Sequence, residues 1–289
     1  MSHPLAVSVA LCTCNGEAYL RQQLDSILSQ THPVDEIVVG DDASTDGTLG
    51  ILGDYEARFP GRFHVHAHSE RLGTINNFEF ALARCEGRVI FLSDQDDVWK
   101  PHKVATMLAR FEDPRAMLVF TDGRLIDSSG APIRSTLWKE WHFGWTTRLR
   151  WKRSSAAVLD LANNRNKVTG ATAALRHELL EDCLPIRVPP GYWHDAWLAL
   201  HAAARGGLRF IAEPLIDYRV HGNQQIGISR DVELPPMGEA WNVSFTEFRE
   251  ALRDRYPSHS STLDDGPRPF RDSAFGVQLR SAWHAVRPH

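Results

Sequence analysis

Val89-Ile90-Phe91-Leu92-Ser93-Asp94-Gln95-Asp96-Asp97-Val98-Trp99 is the stretch on which the reading of this chain turns. Four consecutive apolar residues predict a strand covered on both faces, as in a parallel sheet between helices. The strand runs directly into three aspartates, and in open α/β sheets ligands bind beyond the carboxyl ends of the strands. Carboxylates crowded at one strand end repel one another unless a cation or hydrogen-bond donors offset them. A divalent ion of the magnesium or manganese kind is the simplest offset, because such ions accept a few protein oxygens and leave positions for a phosphate-bearing ligand. Helix caps and turns are the structural alternative for any one aspartate, and Asp46 fits that alternative best.

Outward from this strand the first 125 residues repeat one unit: a short apolar run, a polar turn, then a segment with helical spacing. The runs are Val7 to Leu11, Ile37 to Val39, Phe63 to Ala67, Val89 to Leu92 and Met117 to Phe120. Between them Leu20, Leu24, Ile27 and Leu28 share one helical face, as do Phe78, Ala81, Leu82 and Cys85 within a helix expected over Asn77 to Cys85. A further helix is expected over Thr48 to Arg58, and Pro101 opens the one carrying Val104, Met107, Leu108 and Phe111. The alternation predicts an α/β fold, a mostly parallel sheet flanked by helices. Asp41 and Asp42 close the second strand, so five aspartates gather at one sheet edge.

Beyond Gly130 the pattern changes. Trp138, Trp141, Trp145 and Trp151 lie close together, with Arg148, Arg150, Lys152 and Arg153 at the end of the stretch. Such a segment suits a sugar acceptor or an anionic lipid surface, or else divides into core tryptophans and a solvated basic face. Regular order returns over Ala173 to Cys183, in a helix from Asp195 to Arg205 closed by Gly206-Gly207, and in a short strand from Leu208 to Ala212. The tail is rich in Pro, Ser and Asp, with helical patches at Phe245 to Arg255 and Ala274 to Val286.

The net charge of -4 argues against a dedicated nucleic-acid binder. Cys12, Cys14, Cys85 and Cys183 lack zinc-ligand spacing and read as reduced core residues. The N-terminus shows no signal-peptide pattern and no apolar run reaches the ~20 residues of a bilayer span. A cytoplasmic protein, with any membrane contact peripheral at the inner face of the plasma membrane, is therefore expected.

An ordered set of motifs resembles family 2 glycosyltransferases with a GT-A fold, of the bacterial rhamnosyltransferase type that serves polysaccharide and O-antigen synthesis. The pieces are Cys12-Thr13-Cys14-Asn15-Gly16-Glu17, Gln23-Leu24-Asp25-Ser26-Ile27, Gly40 to Thr48, Phe91 to Trp99, Thr169-Gly170-Ala171-Thr172, His194-Asp195-Ala196-Trp197 and Tyr218 to Asn223. The resemblance covers roughly residues 5 to 228. Cys14 stands where an aromatic is common and Ala43 where glycine is common.

The resemblance implies an inverting, metal-dependent enzyme that moves a sugar, rhamnose among the candidates, from a nucleotide-diphosphate donor to an acceptor hydroxyl. Thr13, Asn15, Glu17, Asp42 and Asp94 would bind the nucleotide, with Asp42 at the base and Asp94 by the ribose, and Arg71 and Asn77 are further donor-contact candidates. Asp96 and His221 would hold Mg2+ or Mn2+, supported by Asp41 and Asp97. Asp195 would be the catalytic base, and Trp193, His194 and Trp197 would lie on the acceptor side. Expected partners are a nucleotide-diphosphate sugar and a glycan or lipid-linked glycan, with room for a homodimer. The domain is expected over 1–229, divided near 125 into nucleotide and acceptor halves, and an extension over 230–289. A nucleotidyltransferase is the rival enzyme, but Cys12 to Glu17 lacks the Lys or Arg of a phosphate loop. A non-catalytic nucleotide-sugar or glycan-binding protein of the same fold is the rival from another class.

Overall fold

The computed structural model describes residues 6–222 and 245–264. One mixed sheet organises them, in the spatial order β3-β2-β1-β4-β8-β6-β9-β5, with β7 paired to β6. The strands are β1 Val7–Thr13, β2 Glu36–Asp41, β3 Phe63–Ala67, β4 Val89–Ser93, β5 Val98–Trp99, β6 Leu118–Ile126, β7 Pro132–Thr136, β8 Ala173–Arg176 and β9 Leu208–Arg219. The helices are α1 Leu20–Leu28, α2 Thr48–Arg58, α3 Thr74–Leu82, α4 Lys103–Leu108, α5 Leu137–Glu140, α6 Trp145–Trp151, α7 Ser154–Ala162, α8 Leu180–Cys183, α9 His194–Ala204, α10 Phe245–Arg255 and α11 Ser260–Asp264.

The first half follows the apolar runs closely. β1, β2, β3 and β4 are mutually parallel, with Val9 opposite Ile37 and Phe91. Every residue of β1 and β4 is buried, because helices cover both faces and leave no polar side. α1 turns Leu20, Leu24 and Ile27 inward together with Gln23, whose Nε2 donates to Ser93 Oγ at 2.6 Å. That buried bond fixes α1 against the carboxyl end of β4.

The structure corrects the reading at the start of α3 and the end of β9 and adds one strand to it. α3 begins at Thr74 rather than Asn77, because Gly73, at φ 79°, makes the turn that launches the helix. β8 is an antiparallel strand inserted between β4 and β6, and the strands on either side of it keep the mostly parallel arrangement expected. β9 runs on to Arg219 instead of stopping at Ala212. Pro214, which has no N–H to give, sits where the β6–β9 ladder slips opposite Asp122, and pairing then resumes as far as Ile126 opposite Arg219.

The tail helix expected over Phe245 to Arg255 is present, and it joins the main core. Phe248 packs 5.1 Å from Tyr192 and 5.9 Å from Trp197 between ring centroids, Arg249 donates to Asn163 Oδ1 at 3.0 Å, and Tyr256 meets His201. The helical patch expected over Ala274 to Val286 lies outside the described residues. All four cysteines are free thiols, and Cys12, Cys85 and Cys183 are buried. Among the described residues no helix is long and apolar enough to cross a membrane.

Arg219, at the end of β9, is almost fully buried and joins four segments. Its Nε donates to the Asp96 carbonyl at 2.8 Å, its Nη1 to the Asp127 carbonyl at 3.2 Å and its Nη2 to Gln22 Oε1 at 2.6 Å, while the guanidinium lies 4.5 Å from the Tyr19 ring centroid. Removing it leaves the buried Asp96 carbonyl without this donor and frees two part-buried acceptors, Asp127 and Gln22. Arg219→Leu is expected to cost about 3–5 kcal/mol, read as a lowered urea midpoint at unchanged m-value.

Candidate active site

The carboxyl ends of β1, β2 and β4 meet at one rim of the sheet, and their loops are stitched together by side chains. Thr13 Oγ1 donates to Asp41 Oδ2 at 2.7 Å, and Asp41 also accepts from Ser44 N at 2.9 Å and Ser44 Oγ at 2.6 Å. Asn15, at φ 52°, accepts from Thr45 N at 2.8 Å through Oδ1. Glu17 Oε2 accepts from Gly47 N at 2.9 Å, and Asp46 caps α2 by accepting from Thr48 N at 3.0 Å. Asp42 accepts from Leu72 N at 2.6 Å and Gly73 N at 3.1 Å, which folds the loop before α3 over the same rim.

Gln95 ties β4 to β1 with two bonds to one residue, accepting from Cys14 N at 2.7 Å and donating to the Cys14 carbonyl at 3.0 Å. Its amide occupies the space a side chain at position 16 would need: a Cβ on Gly16 would fall 2.3 Å from Gln95 Oε1. A larger residue there would have to displace the Gln95 amide and its two bonds to Cys14.

The aspartates after β4 point to three different environments. Asp94 is half-buried, and burial, then the charges of Asp96 and Asp195, push its pKa up to about 7. Asp96 is buried and meets His221 Nε2 at 2.8 Å through Oδ2. Asp97 accepts from Arg219 N at 3.0 Å, while its buried Oδ2 has no hydrogen-bond partner. Burial and the neighbouring Asp96 and Asp94 hold the Asp97 carboxyl well above the ordinary aspartate range.

Below them lies Lys103, fully buried, which donates to the Ala171 carbonyl at 2.7 Å and sits 3.9 Å from the Trp99 ring centroid. Burial pushes its pKa down to about 7 against the pull of Asp97 and Asp94. A cation in that position offsets part of the carboxylate repulsion from inside the protein.

Asp195 approaches from the opposite wall, at the first turn of α9. Asn166 Nδ2 donates to its Oδ1 at 3.0 Å, Gly170 N to its Oδ2 at 3.2 Å, and Ala196 N to its Oδ1 at 2.6 Å. Those donors favour the carboxylate, but burial outweighs them and the pKa rises to about 7. A half-buried carboxylate in that environment has the basicity a proton acceptor needs near neutral pH.

Residues 8–183 match the model of glycosyl transferase family 2. The chain belongs to that family. An uncharacterized protein of Mycobacterium tuberculosis is 27% identical over 262 residues, covering 89% of this chain and 67% of the relative. The provisionally named teichuronic acid biosynthesis glycosyltransferase TuaG of Bacillus subtilis is 35% identical over 127 residues, 44% of this chain, and the match spans half the length of that relative. S. aureus TarS, solved with UDP-GlcNAc, superposes with a TM-score of 0.59 at 17% identity, covering 97% of this chain and 72% of the solved one. A mannosyltransferase from Pyrobaculum calidifontis, solved with GDP-Man and Mn2+, superposes with a TM-score of 0.55 at 21% identity, covering 100% and 77%. These neighbours share the GT-A fold, a curled, mostly parallel sheet flanked by helices.

Several residues expected in the site of this family 2 glycosyltransferase lie elsewhere. Asn77 is buried, donating to the Gly40 carbonyl at 2.8 Å and meeting His68 Nε2 at 3.0 Å, so its amide is spent inside the fold and not on a donor. Trp197 is core: its Nε1 donates to the Cys183 carbonyl at 2.7 Å, and it packs on His201 and Phe248. His194 is buried and stacks 4.1 Å from Phe78, and burial pushes its pKa down to about 3, so it is a neutral wall beneath Gly170. Trp193 alone of the three acceptor-side candidates is half-buried. Asp41 and Asp97 are buried supports, and Arg71 is exposed at the loop that Asp42 holds. The reading of single motifs missed Gln95, Lys103, Asn166 and Arg219.

The donor set fits a divalent ion in one respect. The 2.8 Å separation of Asp96 Oδ2 and His221 Nε2 is close to the roughly 2.9 Å between neighbouring ligands of an octahedral ion with bonds near 2.1 Å. Among the described residues no three His, Cys, Asp or Glu side chains converge as a metal cage. Asp96 and His221 are two candidate ligands, and an ion held there would take its remaining positions from phosphate oxygens and water.

Asp195→Asn keeps the shape and hydrogen-bonding reach of the side chain but removes its basicity. Transfer is expected to fall by roughly 10^2–10^4, with donor binding retained, measured by product formation and calorimetry on one preparation. In the unaltered enzyme the active carboxylate form is lost as pH falls. The pH profile of kcat should therefore rise through about 7 and level off above it; a flat profile between pH ~5 and ~8 would contradict this role.

Proposed function

We propose that this chain is an inverting glycosyltransferase that moves a sugar from a nucleotide-diphosphate donor to an acceptor hydroxyl, with a divalent ion at Asp96 and His221. The observation that carries the reading is Asp195, a carboxylate steered by Asn166 and Gly170 and raised to about 7, near enough to the acidic end of β4 to raise Asp94 as well. A structural cap has no need of that environment, since an exposed aspartate caps a helix equally well.

In the proposed reaction the nucleotide lies across the rim formed by Thr13, Asn15, Glu17 and Asp42, with Asp94 at the ribose and Arg71 at the edge of the pocket. Asp42 already accepts from the Leu72 and Gly73 amides, one on each oxygen, and keeps a lone pair on each for a donor on the base. Asp195 accepts the proton of the acceptor hydroxyl as that oxygen bonds to the anomeric carbon. The bond from the anomeric carbon to the diphosphate breaks, and the nucleoside diphosphate leaves with the electron pair. One displacement of this kind inverts the anomeric centre. A bound divalent ion supplies positive charge to the leaving diphosphate without a proton transfer. Half-buried Trp193, next to Asp195 in sequence, is the side chain we assign to the acceptor sugar.

Assembly of cell-surface polysaccharide is the process we infer, supported by the teichuronic acid name of the Bacillus relative. Mn2+ or Mg2+ as the ion is supported by the Mn2+ in the mannosyltransferase neighbour. The motif set singles out dTDP-rhamnose for testing beside UDP-GlcNAc and GDP-mannose.

Calorimetry with these three donors, with and without Mn2+, tests the reading. At least one should bind, and tighter with the ion. Asp96→Asn should lose about tenfold or more of that ion-dependent affinity, since losing a direct ligand costs at least as much as losing a supporting one. No heat from any nucleotide sugar in the presence of Mn2+ would overturn the proposal.

A further inference from the structure

The tryptophan-rich stretch divides into an inner and an outer set. Inside, Trp138 and Trp151 are buried with Phe120 and Phe143, half-buried Phe210 packs against them, and the ring centroids lie 5.8 Å apart for Phe120 and Trp138 and 5.1 Å for Phe143 and Trp151. This aromatic cluster fixes α6 on the sheet. Trp151 is further held by its Nε1, which donates to Asp160 Oδ2 at 2.8 Å. Outside, Trp145 is 71% exposed and Leu149 58% exposed, and with Leu49 they are the exposed large hydrophobics among the described residues. Trp145, Leu149 and Lys152 are spaced i, i+4, i+7 and share one helical face.

The charge around that face is one-sided. Residues 141–159 contain Arg148, Arg150, Lys152 and Arg153 and no Asp or Glu, in a chain whose net charge is -4. Arg150 is paired with Asp160, and Arg148 lies over Trp138 at 5.2 Å. Lys152 and Arg153 are exposed. Lys152 also lines a groove of about 600 Å3 with Arg110, Arg115 and Arg209, floored by Trp151 and Phe210. Asp113 is the acid that meets two of these arginines, Arg209 at 3.0 Å and Arg115 at 3.3 Å.

An exposed tryptophan and leucine set among cations on a rigid helix is the arrangement that enters a lipid headgroup layer. The rings and methyls leave water while the charges stay at the phosphates. We propose that α6 and the adjoining basic groove form a docking surface for a bilayer containing anionic phospholipid. Neither set suffices alone: two apolar side chains give weak, reversible insertion, and a few cations give salt-sensitive attraction, so the pair acts together. The surface is also linked to the candidate base. Trp141, just before α6, donates through Nε1 to Thr169 Oγ1 at 3.1 Å, and the next residue, Gly170, holds Asp195. The proposal concerns where the protein sits and stands apart from the assignment of the donor site.

Vesicle flotation of the full chain tests it, with phosphatidylcholine alone and with phosphatidylglycerol added, at low and high salt. The protein should float with the anionic vesicles at low salt, and should be released by high salt and left behind by neutral vesicles. The exposed double variant Trp145→Ser with Leu149→Ser should lose at least ~10-fold in partitioning. Lys152→Glu with Arg153→Glu should lose about 25-fold or more, since each lost cation alone is worth about fivefold. Leu49→Ser, on α2, should float like the unaltered chain. Absence of flotation with anionic vesicles would overturn the proposal, as would equal binding to neutral ones or double variants that float normally. A dimer split by the Trp145 and Leu149 substitutions without any lipid dependence would assign this face to a second copy of the chain instead. Donor calorimetry on the same samples reports on the transferase site independently, so failure of one reading is distinguishable from failure of the other.

Discussion

Carboxylates packed against one another at the end of a buried strand are the condition to which most of this structure answers. Asp94, Asp96 and Asp97 follow β4, whose residues are all buried, so bulk water screens their repulsion poorly. The protein supplies compensation from three directions. Arg219 donates its backbone N–H to Asp97 and its guanidinium to the Asp96 carbonyl, Lys103 places a buried charge beneath, and His221 meets Asp96 directly. Much of the irregular second half then has a physical reason. β9 must extend past Pro214 to deliver Arg219 and His221, and β5 pairs with its end, Val98 opposite Asp217, which closes the acidic loop against it. One oxygen stays uncompensated. Among the described residues Asp97 Oδ2 is buried without a donor, which agrees with the upward push on that carboxyl.

Asp195 answers a related condition with a different balance. Its position in the first turn of α9 and its three donors would by themselves keep it a strong acid. Burial reverses this and brings it to about 7. A place in the first turn of α9 and the proposed proton transfer therefore do not compete for this residue: its three donors orient the carboxylate, and burial beside Tyr192 and His194 raises its basicity. The neutral, unpartnered His194 fits those surroundings, since a charged imidazole there would pull the aspartate back down.

What the sequence discloses follows from which interactions are local. The four parallel strands and their helices were legible because their apolar periodicity is set by burial against neighbours close in sequence. The rim aspartates were legible because strand ends in such sheets face ligands. Asn77 and Trp197 show where that logic stops. Each is a residue type that often contacts nucleotides or sugars, and only tertiary packing, the Gly40 carbonyl for one and the Cys183 carbonyl for the other, decides that it turns inward. The antiparallel β8 was not legible, since four residues, Ala173–Arg176, carry too little periodicity to reveal direction. Gln95 and Lys103 carried faint signals, a glutamine among aspartates and a lysine six residues beyond Asp97 on an otherwise apolar helical face. Arg219 stood within a quoted motif, but only the coordinates show that it holds the acidic loop.

The separation along the chain of the groups that meet in the site has a consequence for how the site forms. Asp96 and His221 are 125 residues apart, Gln95 and Cys14 are 81 apart, and Arg219 and Gln22 are 197 apart. Contacts of that span are reached late, after the loops between them have lost their freedom. The first four strands can bury their apolar faces before β9 is in place, but the acidic loop is then without Arg219 and His221, and of its three compensating groups only Lys103 lies outside that segment. A cation bound with a nucleotide acts on the same repulsion from the solvent side as Arg219 and Lys103 do from within. On the proposed assignment, ligand binding at Asp96 and docking of β9 would favour the same arrangement, each strengthening the other through the shared electrostatic cost and through His221, which follows β9 and meets Asp96.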